Sequence, residues 1–153
     1  MCDQVRAYLE LRRKHGAAEA EELSLAGLPE RQRGRIGPLI EHGRLADGLA
    51  KAVPGLDAIG ISTEFVDVST EDEDAALEVM LTCSCLAAAE RLGLEPAEPV
   101  VCGLDLTATE RAFPDLTVRT LSRQTEGRKL CVFRFSRPAR DDGTAVADTK
   151  EMK

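Results

Sequence analysis

Five cysteines stand at positions 2, 83, 85, 102 and 131 of a 153-residue chain, and they are the side chains whose type and spacing hold the most scope for chemistry. Cys83 and Cys85 close an alternating run with Leu77, Val79 and Leu81, so they share one face of an extended segment. Cys102 precedes Asp105 by three residues, which puts the two on one face of a helix. Cys131 heads Cys131-Val-Phe133-Arg-Phe135, a strand pattern with the thiol on the aromatic side. Cys2 sits at the terminus and is set aside. Three uses compete for the remaining four thiols. A free cysteine is a small hydrophobe that belongs in a core, and alternating Leu, Val and Cys suits that. Metal ligation is the second, although C-x-C with two isolated cysteines is not zinc-ribbon spacing and no histidine lies near them in sequence. The third is nucleophilic attack by a thiolate with an acid such as Asp105 nearby. That chemistry requires no cofactor and no metal.

The remaining side chains narrow the field. His15 precedes Gly16 at the end of a helical stretch, where a cation complements the helix dipole. His42 precedes Gly43 and reads as a helix-surface residue. There is no G-x-S-x-G, and Gly34-Arg-Ile-Gly37 follows no strand, so serine hydrolysis and a phosphate loop lack support.

The elements that must position the thiols divide at about residue 58. Residues 1–58 form a helical part: Val5, Tyr8, Leu9 and Arg12 share a face, and Ala17–Leu25 is rich in helix formers. Pro29 opens a further helix, Gly34, Gly37 and Pro38 interrupt it, Leu39–Val53 resumes it, and Pro54-Gly55 ends it. Residues 59–137 form an α+β core. Ile59, Ile61, Thr63 and Phe65 begin a strand, and the run Glu71-Asp72-Glu73-Asp74 reads as a solvated turn without chemistry. A hairpin partner carries the chain to Cys85. A helix follows and stops at Gly93 and Pro96, and a second spans about 99–113, with Thr107-x-x-Glu110 as a later start. Strands at 116–122 and 130–136 complete an antiparallel sheet of four. Residues 138–153 have almost no large apolar side chain and read as a disordered tail. The expected fold is thus α+β, N-terminal helices packed on an antiparallel sheet with short inserted helices.

Charge and composition exclude several partners. The net charge is −7 and aromatic residues make up only 3%, which argues against nucleic acid. The acidity is concentrated, with two basic against twelve acidic residues over 59–113. Arg31, Arg33 and Arg35 read as an exposed helix end rather than an anion patch. No apolar run approaches the roughly 20 residues of a membrane span. The opening MCDQVRAYLELRRKHG lacks the apolar stretch of a signal peptide, so a cytoplasmic location with reduced thiols is expected. The strand edges at 116–122 and 59–68 offer places where a second copy would pair.

The order of these pieces is itself informative. Thr82-Cys83 before a helix ending in Leu92-Gly93, then Val101-Cys102-Gly-Leu-Asp105, Arg119-Thr120-Leu121, Glu126-Gly127 and Cys131-Val-Phe133-Arg134-Phe135 resembles the L-2-amino-thiazoline-4-carboxylic acid hydrolase family over about residues 60–136. Cys83, Cys102, Asp105 and Cys131 match the family's pattern, and Cys85 is an additional thiol. The resemblance implies hydrolytic opening of a small sulfur- and nitrogen-containing ring, in a biosynthetic setting, with a small-molecule substrate. Cys102 is then the expected nucleophile and Cys83 the second choice, with Cys85, Cys131, Phe133, Arg119 and Arg134 around the substrate. A carboxylate beside a thiol opposes thiolate formation. Asp105 must therefore act as a neutral acid or substrate anchor, or an arginine such as Arg119 or Arg134 must offset it. The alternative is a non-catalytic domain, sensor or carrier, whose cysteines line a pocket for a small molecule, metal or cofactor.

Overall fold

The computed structural model describes residues 1–139. Helices α1 (Cys2–His15), α2 (Ala17–Leu25), α3 (Leu28–Ile40), α4 (Leu45–Ala50) and α5 (Val53–Asp57) come first, followed by strands β1 (Thr63–Asp67) and β2 (Glu73–Met80). Helices α6 (Ser84–Leu92) and α7 (Val100–Ala112) lie between β2 and the closing strands β3 (Thr117–Ser122) and β4 (Cys131–Pro138), and a 3-10 turn at Gln124–Glu126 separates these two. The strands form one antiparallel sheet in the order β1-β2-β4-β3. The fold is therefore α+β.

Period-2 patterning sets the two faces of the sheet. Phe65, Ala76, Phe133, Phe135 and Val118 point to the helices and join Ile40, Leu45, Leu49 and Leu116 in the core. The register places Met80 opposite Cys131 and Glu78 opposite both Phe133 and Phe65, so Glu78 and Met80 share that covered face. This reverses the expected polarity of β2. Leu77 and Val79 lie on the open face, because burial goes to the side that helices α3, α4 and α7 cover. The strand also stops at Met80. Cys83 and Cys85 are consequently not strand residues; Cys83 caps α6 and Cys85 lies in its first turn.

Other boundaries moved for identifiable reasons. Helix α3 runs unbroken through Gly34, Gly37 and Pro38. Pro54 sits in the first turn of α5, where its missing N–H costs nothing, instead of ending a helix. β1 begins at Thr63, leaving Ile59 71% exposed. The acidic run is only partly solvated. Asp74 is buried and accepts from Arg137 Nε at 2.8 Å and from the backbone N–H of Leu45 at 3.0 Å. Arg137 also donates to the carbonyls of Ile40 and Gly43 at 2.7 and 2.9 Å, which ties the end of β4 to the α3–α4 connection. β4 continues through Pro138, and Ala139 N–H donates to Asp72 O. Residues 140–153, most of the expected tail, lie outside the described residues.

Helices α3 and α4 meet at Gly48, where a Cβ would run into the Leu39 carbonyl oxygen and lie 2.9 Å from its carbon. Both atoms are backbone and cannot swing aside. Gly48→Ala is expected to cost about 3 kcal/mol, the upper part of the usual overpacking range, as measured by urea denaturation. A loss below about 0.5 kcal/mol would show that α4 shifts freely.

Candidate functional site

Four of the five cysteines meet at the end of the covered face. Cys83 and Cys85 come from the start of α6, Cys102 from the first turns of α7, and Cys131 from the first residue of β4. Cys83, Cys85 and Cys131 are buried and Cys102 is partly exposed. The sulfurs of Cys85 and Cys102 are 2.7 Å apart. That is closer than two unbonded thiols ordinarily sit and longer than the roughly 2.05 Å of a disulfide. All five cysteines are free thiols.

Backbone donors support two of the sulfurs. Cys83 is the N-cap of α6 and its Sγ accepts the Leu86 N–H at 3.3 Å, using a donor that the helix leaves unpaired. Cys131 Sγ accepts the Gln124 N–H, also at 3.3 Å. Hydrogen bonds from Cys102 and Cys85, with the Leu86 N–H, hold the Cys83 thiol well below the ordinary thiol range. The same contacts push Cys102 up, the Cys83 interaction first and burial after it. Burial is the main cause raising Cys131. The contacts within the cluster thus favour ionisation at Cys83 and oppose it at Cys102.

Asp105 lies one turn beyond Cys102 but is committed to α3. Its Oδ1 accepts from Gln32 Nε2 at 2.5 Å, and its Oδ2 pairs with Arg35 at 3.1 Å. Arg35 is therefore the arginine that offsets Asp105. Arg134 pairs instead with Glu73, Arg119 lies across from Arg134 on β3, and both face the open side of the sheet, away from the thiols. Phe133 faces the covered side, in the core. The residue missed from sequence is Glu78, in β2. It sits on the covered face, where burial first and the Asp105 charge second raise its carboxyl pKa to about 7, against a smaller opposing effect of Arg35. An isolated Glu in a strand facing helices is the only signal that would have found it.

The pH consequence follows from the direction of that shift. A carboxyl raised on folding stabilises the fold fully below its unfolded pKa and loses that contribution as pH rises through its folded pKa. Glu78→Gln is expected to be the more stable protein above pH 7 by on the order of 2 kcal/mol, after allowance for partial exposure, with the difference vanishing below about pH 4.5. Thermal melts of both proteins from pH 4 to 8 measure this; parallel stability curves would contradict it.

Among the described residues, no group of three or more His, Cys, Asp or Glu side chains is placed where it could hold a metal ion as the side chains stand. A cavity of about 470 Å³ lies elsewhere, lined by Arg33, Pro38, Ile40, Phe113 and Leu116 among others, and none of its lining residues is a cysteine. Among the described residues, two buried polar atoms, Arg123 Nε and Thr125 Oγ1, lack hydrogen-bond partners, and they flank Gln124, whose N–H bonds Cys131. Comparison with known proteins finds no matching family model, no matching curated protein and no matching solved structure.

Proposed function

We propose that the protein binds a thiophilic metal ion, zinc being the first candidate, through Cys83, Cys85, Cys102 and Cys131. The observation that carries this is the convergence of four thiols from three separate stretches of chain, with two sulfurs pressed to 2.7 Å. Four thiolates make a closed tetrahedral set for a soft ion. Bonds of about 2.3 Å spread the sulfurs of such a set to roughly 3.8 Å, so the Cys85–Cys102 gap opens by about 1 Å on binding. Rotation about the Cα–Cβ bond of Cys102, the partly exposed member, supplies that movement and a route for the ion. A single ion suits so tight a cluster better than an iron–sulfur unit, which would drive the thiols further apart. Binding releases thiol protons. The N–H donors of Leu86 and Gln124 offset part of the resulting negative charge.

Protein purified under reducing conditions without chelator is expected to carry about one equivalent of metal. Apo-protein titrated with Co²⁺ should develop sulfur-to-cobalt charge-transfer absorption that saturates at one equivalent, with four thiols protected from alkylation. Absence of that absorption, with all five thiols reacting, would end the proposal.

A second reading keeps the chemistry of the L-2-amino-thiazoline-4-carboxylic acid hydrolase family, and the helix-capping position of Cys83 favours it. Here the Cys83 thiolate attacks the electrophilic ring carbon, a water molecule gives its proton to the departing ring atom, and the hydroxide left then releases the product from sulfur. Metal-free protein with one fast-reacting thiol and turnover of a cyclic isothiourea would decide for this reading.

A further inference from the structure

The four thiols are not equivalent, and two of them are placed to react with each other. Cys85 stands in the first turn of α6 and Cys102 in the first turn of α7, so each sulfur hangs from a separate helix start. The two sulfurs face each other at 2.7 Å. A disulfide spans about 2.05 Å, so the bond asks for an approach of only about 0.6 Å. The other two sulfurs are held by backbone donors. Cys83 Sγ accepts the Leu86 N–H as the N-cap of α6, and Cys131 Sγ accepts the Gln124 N–H. Cys83 also contacts Cys85 and Cys102, but drawing its sulfur into a bond with either would take the acceptor away from the start of α6. Neither Cys85 nor Cys102 is a helix cap, so joining them leaves both helix starts intact.

Exposure divides the pair further. Cys85 is 2% exposed, whereas Cys102 is partly open to solvent. A small oxidant therefore reaches Cys102 first, with Cys85 directly behind it. That is the arrangement of an attacked thiol beside a resolving one.

We propose that Cys85 and Cys102 form a dithiol that hydrogen peroxide converts into a reversible intramolecular disulfide. The Cys102 sulfur attacks one peroxide oxygen: the S–O bond forms as the O–O bond breaks, and the departing hydroxide takes up the Cys102 proton as water. The Cys85 sulfur then attacks the sulfur of this sulfenic acid. The S–S bond forms, the S–O bond breaks, and the second hydroxide leaves as water with the Cys85 proton. The two sulfurs together lose two electrons and the peroxide gains two. The product ties α6 to α7 across 17 positions of sequence, and the cross-link restricts the unfolded chain, so the oxidised protein should melt roughly 6–12 °C higher than the reduced one. One consequence rests on the metal reading proposed above: the disulfide removes two of the four ligands, so oxidation releases a bound ion.

The full chain, reduced, stripped of metal with a chelator, confirmed as folded by circular dichroism and then given about one equivalent of hydrogen peroxide, tests this. Non-reducing peptide mapping should find Cys85 linked to Cys102, with Cys2, Cys83 and Cys131 still open to alkylation after unfolding, and dithiothreitol should reverse the link. With dimedone present during oxidation, the sulfenic acid should be trapped at Cys102. The rise in melting temperature should be lost in Cys85→Ala. A different linked pair, thiols that all stay free, or a Cys102 sulfinic acid beside a free Cys85 thiol would overturn the proposal. So would dimedone trapped at Cys83 or Cys85, or a rise in melting temperature that survives in Cys85→Ala. These readouts use metal-free protein, so they stand whether or not the thiols hold zinc. Zinc release from the metal-loaded chain on oxidation, followed with a chromophoric chelator, reads the metal consequence separately, and zinc retained after the link has formed would overturn that consequence.

Discussion

Cys102→Ser is expected to reduce zinc or cobalt affinity at least about 100-fold, because it removes one of four thiolates and replaces it with a hydroxyl that does not ionise at neutral pH. Cys83→Ser and Cys131→Ser should do the same. Each also loses a sulfur that accepts a backbone N–H, from Leu86 and Gln124 respectively. Cys2→Ser should change nothing, since that thiol lies on α1 and outside the cluster. Competition against a chromophoric chelator reads all four affinities. The contrast among variants matters more than any one value: equal retention by all four would exclude a four-thiol site. Asp105 is not expected to join the site, because it is occupied by Gln32 and Arg35. The metal should also stabilise the fold. It would join the starts of α6 and α7 to the start of β4, so the melting temperature should rise with zinc concentration in wild type and not in Cys102→Ser.

Arg137→Met should be the most damaging single change to stability, costing about 3–5 kcal/mol. The Arg137 side chain is almost fully buried, 1% exposed, and its ion pair with Asp74 spans 2.8 Å. Removing the guanidinium strands the Asp74 carboxylate in the interior and leaves the carbonyls of Ile40 and Gly43 without their donor. Asp74 still receives the Leu45 N–H, so part of its charge remains solvated, which places the loss toward the lower end of the range. A fall in Tm of roughly 10–20 °C corresponds to that loss in a domain of this size. A cost below 1 kcal/mol would mean that water reaches the site and that the pair is a surface bridge in effect. Asp74→Asn, which keeps a cap for Leu45 but removes the charge, should fall between Arg137→Met and wild type.

Much of the architecture was legible because local patterns record it. The limits of α1, α2, α6 and α7 follow helix formers and the stops at Gly16 and Gly93. The alternation of Cys131, Phe133 and Phe135 marks the face of β4 that meets the helices. Alternation failed at β2, where Leu77 and Val79 were read as the core face. Two apolar residues in a strand cannot say which side the helices cover, and an open face that is itself apolar makes the wrong side look right. The reach of β2 was overread for a related cause: Cys83 and Cys85 keep the period of two after the strand has ended, although the chain there has already turned into the cap of α6.

The candidate site divides in the same way. The identities of the four thiols and their order along the chain were present in the sequence, as was the proximity of Cys102 to Asp105 on one helix. Their meeting was not, because Cys83, Cys102 and Cys131 are brought together by the packing of α6 and α7 against the end of β4, over separations that no periodicity encodes. Nor did sequence reveal that Asp105 faces Arg35, that Arg119 and Arg134 point to the other side of the sheet, or that Asp74 leaves an acidic run to pair with Arg137. An acidic run looks solvated until one member alternates inward and meets a buried cation 63 residues away. The sequence by itself determined an α+β chain and the identity and order of its thiols. The tertiary structure alone decided that the thiols form one cluster without a carboxylate, since which faces are covered depends on the packing of every element at once.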